Sequence, residues 1–190
     1  MPCSVSINVL FFISFLFCSP VLSAATESYG AEVKSVVTAL KGEQYVLSAN
    51  INYRLSPKAM EALQNGVALF WTVHIKSQLV RDFLWNKTLA EKHLHYQLQY
   101  HALLNMYRVS HKDTQADYNF VSLASALDSI STLNDLPFLD AKILKPAQHQ
   151  VVALKIDFDN EALPLPLRPI TYFNQQWYLS SAWTVWPLTK

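Results

Sequence analysis

Two histidines separated by one residue are the side chains whose type and spacing most suggest chemistry. His93 and His95 lie where apolar and polar residues alternate, and residues two apart on a strand project from the same face. Two imidazoles placed in this way could bind zinc or copper. His101 would share the face but lie roughly 20 Å from His95, given the rise of a strand, which is too far for a common ion. The alternative is a solvent-exposed polar face, because Glu91 and nearby glutamines share it.

A second candidate site consists of aromatic residues near the carboxyl end. Trp177, Trp183 and Trp186 could form the floor of a groove for a sugar or a peptide. The alternative is packing, since large rings commonly fill the core of a sandwich. No G-x-S-x-G nucleophile motif occurs in the sequence, so serine catalysis has no local support.

Composition excludes several classes of function. The formal net charge is +1 and the basic residues are scattered, which does not indicate a nucleic-acid-binding surface. Only three glycines occur, too few for a glycine-rich phosphate-binding loop. Both cysteines, Cys3 and Cys18, lie near the amino terminus, so a domain that begins after them has no disulfide and no thiolate metal site. We expect no bound cofactor.

The first 25 residues have the pattern of a secretory signal peptide. Residues 9–22 are almost entirely apolar, but this run is shorter than the roughly 20 residues that span a bilayer. Small residues at 23–25 predict cleavage before Thr26. The sequence therefore predicts a signal peptide at 1–25, a single domain at 26–190 and a periplasmic location. The alternative is an uncleaved segment that anchors the protein in the membrane, because residues 1–8 contain no lysine or arginine.

Alternation with a period of two dominates the rest of the chain. Strands are predicted at 45–55, 67–79, 90–101, 106–111, 118–121, 149–158 and 177–186, while 163–169 is predicted to be an edge or a connection. Ser56 and Ser122 are predicted to cap two short helices, at 57–64 and 123–131. The fold class predicted from this pattern is mainly β: an antiparallel β-sandwich of immunoglobulin-like character with two short helices.

Three segments together resemble a family of short exported proteobacterial proteins that carry a domain of unknown function. They are residues 100–110, the proline-rich stretch 163–168, and residues 177–187 with the pattern W-x-L-S-S-x-W-x-x-W-P. The resemblance covers residues 32–188 and implies no established activity, substrate or catalytic residue. It does imply an accessory role at a membrane sensor kinase, because members of the family are encoded near one.

Together, these observations favour a non-enzymatic binding or interaction module of the cell envelope. Its expected partner is an envelope or membrane protein, with the sensor kinase as the specific candidate. One alternative is a metal-binding protein that uses His93 and His95. Another is a hydrolase whose site forms only in the folded chain.

Overall fold

A computed structural model describes residues 29–143 and 149–188 of the chain. The predicted signal peptide at 1–25 lies outside the described residues. The elements follow one another in the order β1 (Gly30–Lys41), β2 (Gln44–Arg54), α1 (Pro57–Gln64), β3 (Leu69–Leu79), β4 (Lys87–His101), β5 (Met106–His111), β6 (Ala116–Phe120), α2 (Leu123–Ser131), β7 (Thr132–Asp140), β8 (Gln150–Phe158), α3 (Arg168–Phe173) and β9 (Thr184–Pro187). No helix in these two ranges has the length and apolar character needed to cross a membrane.

The strands form two antiparallel sheets. The smaller sheet has the order β1-β2-β7, and the larger has the order β6-β5-β4-β3-β8-β9. One hydrophobic core contains buried side chains from both sheets, including Leu47 and Ile51 from β2 and Trp71, Ile75 and Leu154 from the larger sheet. The predicted mainly β, antiparallel sandwich is therefore confirmed.

Alternation along β3 and β4 shows why these residues form a half-buried sheet. In β3 every second residue from Leu69 to Ser77 is buried, and the intervening side chains are partly exposed. In β4, Tyr96 and Leu98 are buried, whereas Glu91 and His93 are exposed. One face of the larger sheet thus packs on the core, and the other face of β3 and β4 remains accessible to solvent.

The two predicted helices are confirmed, and so are their caps. The Ser56 hydroxyl accepts a hydrogen bond from the amide of Ala59, and α1 begins with a proline. The Ser122 hydroxyl accepts one from the amide of Ser125 at the start of α2. Each serine satisfies a backbone N–H that has no partner within its helix, which is why these residues fix the helix starts.

The carboxyl-terminal third departs from the predicted pattern. Residues 168–173 form a third helix, α3, and a 3-10 turn follows at Gln175–Trp177. The predicted strand at 177–186 is wrong over most of its length, because only Thr184–Pro187 pairs with β8 as β9. Ahead of β9, serine side chains supplement a backbone bond to β8: the hydroxyls of Ser181 and Ser180 accept hydrogen bonds from the amides of Ile156 and Phe158, and the Ser181 amide donates to the carbonyl of Ile156.

Two strands of the smaller sheet, β1 and β7, were not predicted. The register of β1 against β2 shifts between Val33 and Ser35, which breaks the alternation. β7 contains Pro137, and Asp135 has a positive φ of 48°. Irregularities of this kind remove the period-two signal that identifies a strand in a sequence.

Candidate metal-binding site

The solvent-facing side of β3, β4 and β8 carries a compact group of polar side chains. In the sheet, His74 of β3 lies opposite His93 of β4 on one side and Lys155 of β8 on the other. The next row pairs Lys76 with Glu91. Because paired residues in an antiparallel sheet have neighbouring side chains on one face, the register brings these groups together.

His74 and His93 approach each other through the same ring atom. Their Nδ1 atoms are 2.9 Å apart, and the two rings meet edge to face with centroids separated by 4.8 Å. A neutral imidazole has one nitrogen that donates and one that accepts a hydrogen bond. The chemistry of the pair therefore depends on which nitrogens carry protons.

Carboxylates lie beside the other nitrogen of each ring. His74 Nε2 is 3.2 Å from Asp157 Oδ2, and His93 Nε2 is 3.5 Å from Glu91 Oε1. A carboxylate near a ring nitrogen favours the tautomer that carries its proton on that nitrogen. With both rings in that tautomer, the two Nδ1 atoms present lone pairs to each other and can share a metal ion; with the proton of one ring on Nδ1, the same 2.9 Å contact is a hydrogen bond between the rings.

The pKa of His74 favours the neutral ring. Desolvation by burial lowers the pKa of His74, and the nearby positive charges of Lys155 and Lys76 lower it further, against the opposing effect of Asp157. The hydrogen bond from Lys76 lowers the pKa of Glu91, which keeps that carboxylate ionised. The site thus offers an unprotonated nitrogen and a charged oxygen at neutral pH, the forms that bind metals.

The distances fit a small transition-metal ion. Ligand atoms of His74, Glu91 and His93 all lie within 4.8 Å of one another. In a tetrahedral zinc site the Zn–N bonds are roughly 2.0–2.1 Å, which places two nitrogen ligands about 3.3 Å apart. The two Nδ1 atoms, 2.9 Å apart, would have to separate by only about 0.4 Å. Asp157 would then hold the free nitrogen of His74, as carboxylates commonly do for metal-bound histidines.

The predicted pair His93 and His95 makes separate contacts in this structure. Both project from the exposed face of β4, with ring centroids 6.4 Å apart. His95 turns to Asp113 instead: its Nδ1 lies 2.9 Å from Oδ1, and its backbone amide donates to Oδ2 at 2.6 Å. Of the two predicted residues, His93 belongs to the three-residue cluster. His95 instead links β4 to the turn after β5 through its two hydrogen bonds with Asp113.

A family model described as Domain of unknown function (DUF4390) matches residues 28–187 of the chain. The chain belongs to this family. The match confirms the resemblance to an uncharacterised family drawn from the sequence. No curated protein and no solved structure gives a significant match to the chain.

Sequence reasoning missed His74, a member of the cluster in this DUF4390 protein, and the role of Asp157, the carboxylate beside it. His74 carries a usable signal, because it occupies an outward position in the alternating pattern of β3 and could have been compared with the histidines of β4. Asp157 occupies an outward position of β8. Neither residue can be placed beside His93 or His74 without the strand register.

The three candidate tryptophans occupy different environments. Trp177 is buried in the core, where its ring stacks on Phe158 with centroids 6.2 Å apart. Trp186 is partly buried and packs against the core. Trp183 is 43% exposed; its ring lies 6.3 Å from that of His74, and Lys76 Nζ lies 5.1 Å from its centroid. Of the three, Trp183 is therefore the one that borders the histidine cluster.

Proposed function

We propose that this protein is a non-enzymatic binding module of the cell envelope that binds a transition-metal ion through His74, His93 and Glu91. The observation that carries the proposal is the 2.9 Å approach of two Nδ1 atoms whose rings have carboxylates beside their other nitrogens. A metal ion held by both Nδ1 atoms would take up one lone pair from each ring. Glu91, whose ligand oxygen lies within 4.8 Å of the ligand nitrogens of both histidines, would supply the third ligand by turning from His93 Nε2 to the ion.

The charges near the site support a nitrogen-binding metal over calcium or magnesium. Lys76 lies 3.0 Å from Glu91, and Lys155 lies 2.6 Å from Asp157, so each carboxylate is matched by a cation. The attraction for a metal then comes from imidazole lone pairs and not from excess negative charge. Imidazole suits zinc, copper and nickel, whereas calcium and magnesium prefer oxygen ligands.

A zinc titration of matched variants tests the proposal. We expect the wild-type protein to bind one equivalent of Zn²⁺ in isothermal titration calorimetry. We expect His74→Gln and His93→Gln each to weaken binding by at least about 100-fold, since changes even to outer partners of metal ligands cost 10- to 100-fold. Cobalt in place of zinc would give visible absorption whose intensity reports the coordination number.

His95→Gln is the matched control, because His95 lies on the same strand face but is bonded to Asp113. We expect its zinc affinity to stay within about threefold of wild type. Equal losses in His93→Gln and His95→Gln, with none in His74→Gln, would favour the His93–His95 pair predicted from the sequence. Absence of stoichiometric zinc, copper or nickel binding to folded wild-type protein would refute the proposal.

A second candidate function is an accessory interaction module for an envelope protein, with a membrane sensor kinase as the specific partner. It is supported by apolar side chains left exposed around α3, above all Phe173, which is 90% exposed, and Tyr172 and Tyr178. A groove of 330 Å³ lies alongside, between α1 and α3. Photo-crosslinking from position 173 in cells, followed by mass spectrometry, would identify the partner. The absence of any specific crosslinked protein would refute this candidate.

A further inference from the structure

The turn between β3 and β4 exposes three large apolar side chains in succession. Phe83 is fully exposed, Trp85 is 93% exposed, and Leu84 between them is 67% exposed. They lie at the tip of the β3–β4 hairpin, residues 80–86, which we call the aromatic tip. Apolar residues are often exposed singly on a protein surface, but three consecutive large ones indicate a surface that is covered in use.

The aromatic tip has a defined backbone conformation. The Arg81 guanidinium donates two hydrogen bonds to the carbonyl oxygen of Trp85, at 3.1 Å from Nε and 2.6 Å from Nη2. Phe83 has a φ of 62°, a left-handed conformation that bulky residues rarely adopt. At the base, the Val80 amide donates to the carbonyl of His149. These bonds hold the three side chains outward on a short, closed turn.

The chemistry of the aromatic tip matches the interface of a lipid bilayer. Tryptophan is enriched at the headgroup level of membranes, because its ring is apolar and its N–H is polar. Phenylalanine and leucine can enter the acyl region beside it. The aromatic tip contains one cation, Arg81, and one anion, Asp82, and a second cation, Lys87, follows it directly, which leaves a net positive charge for anionic headgroups.

We propose that the aromatic tip inserts into the interfacial region of a phospholipid bilayer and attaches the domain to the membrane surface. A convex tip with side chains that splay outward suits a fluid surface that closes around it, whereas a protein partner needs a preformed complementary pocket. The tip is formed by residues outside the histidine cluster, so insertion does not depend on metal binding.

Vesicle binding of matched variants tests this proposal. The full chain is expressed and the protein is purified with its amino terminus as the host cell leaves it. It is mixed with vesicles of phosphatidylethanolamine and phosphatidylglycerol, and vesicle-bound protein is separated from free protein by flotation. We expect Phe83→Ser with Trp85→Ser to lower the partition coefficient at least about tenfold, because two large side chains no longer leave water. The control is Leu103→Ser with Leu104→Ser, which removes two exposed apolar residues from the turn at the other end of β4. We expect this control to bind as wild type does.

A second readout separates the tip from any contribution of the amino-terminal segment. Lipids brominated near the headgroup should quench part of the tryptophan fluorescence, and that part should disappear in Trp85→Phe. Equal flotation of the tip variant and wild type, no quenching that depends on Trp85, or no binding of wild type would each overturn the proposal. So would photo-crosslinks from position 85 in cells that reach a protein and no lipid, since they would show that the tip docks on a protein.

Discussion

Replacing Gly30 by alanine would place a methyl group against the backbone of residues 178–180, which precede β9. Gly30 begins β1 with a φ of +120°, a conformation that is largely restricted to glycine. A Cβ there would lie 3.0 Å from the carbonyl oxygen of Tyr178 and 3.1 Å from that of Ser180. Both contacts are to backbone, so neither can be relieved by rotating a side chain. The chain that runs from the 3-10 turn toward β9 would have to move.

The cost follows from two effects. The disfavoured backbone conformation costs of order 1–3 kcal/mol for a residue with a side chain. Displacing the segment also weakens the adjacent hydrogen bond from the Ala31 amide to the Leu179 carbonyl, 3.2 Å long, and a typical bond of this kind contributes about 0.5–1.5 kcal/mol. We therefore expect Gly30→Ala to lower the free energy of unfolding by about 1.5–4.5 kcal/mol. For a domain of this size that corresponds to a Tm lower by about 3–18 °C.

Differential scanning calorimetry of Gly30→Ala and Gly42→Ala measures this effect against a matched control. Gly42 also has a positive φ, of 63°, but no atom lies within 4 Å of the Cβ position. Its replacement should cost only about 1 kcal/mol, from the left-handed conformation alone. If Gly42→Ala lowers Tm as much as Gly30→Ala, the reasoning about close approach at Gly30 is refuted.

Two further predictions concern the buried Tyr53 and the partly buried His111. The Tyr53 hydroxyl is buried without a hydrogen-bond partner among the described residues, so Tyr53→Phe should leave stability unchanged or raise it by up to about 1 kcal/mol in urea titrations, whereas a clear loss would reveal a partner. Burial lowers the pKa of His111, against the opposing effect of Asp113. Just below the ordinary histidine pKa of about 6.5, the unfolded chain therefore binds more protons than the folded chain does, and the stability of the fold falls as the pH is lowered through this range. His111→Phe should reduce that pH dependence, and an unchanged slope between about pH 5 and pH 8 would contradict it.

The elements that were predicted well are those whose signals are local. Ser56 and Ser122 fix helix starts because a cap needs only a hydroxyl within three residues of the amide that it satisfies. The alternation of β4 is equally local. Helix caps and strand alternation depend on neighbours in the sequence, so they can be read before the fold is known. Lys92, on the inner side of β4, breaks the pattern and is accommodated by a tertiary contact, a hydrogen bond of 2.9 Å from its Nζ to the carbonyl of Pro137.

The carboxyl-terminal segment was predicted less well because its residues are positioned by tertiary contacts. Aromatic residues from 177 onward have high strand propensity, but propensity on a strand mainly reflects packing against neighbours. Trp177 instead fills the core beside Phe158, and the hydroxyls of Ser180 and Ser181 accept hydrogen bonds from amides of β8 where a regular strand would use its carbonyls. Whether these residues form a strand or fill the core depends on the space left by β3 and β8. The sequence of the segment itself does not encode that space.

The histidine cluster depends on a register that hydrophobic patterning cannot specify. A slip of β3 against β4 by one residue would turn every core side chain outward, so it is excluded by the apolar pattern. A slip by two residues would keep both faces intact but place His74 opposite Glu91 or His95 instead of His93. The observed register pairs Trp71 with Tyr96 and Leu69 with Leu98 on the inner face. This register is therefore selected by how well these side chains pack in the core. The histidine cluster on the outer face is thus set by packing on the inner one, and for this reason His93 was predicted from the sequence while its partner was not.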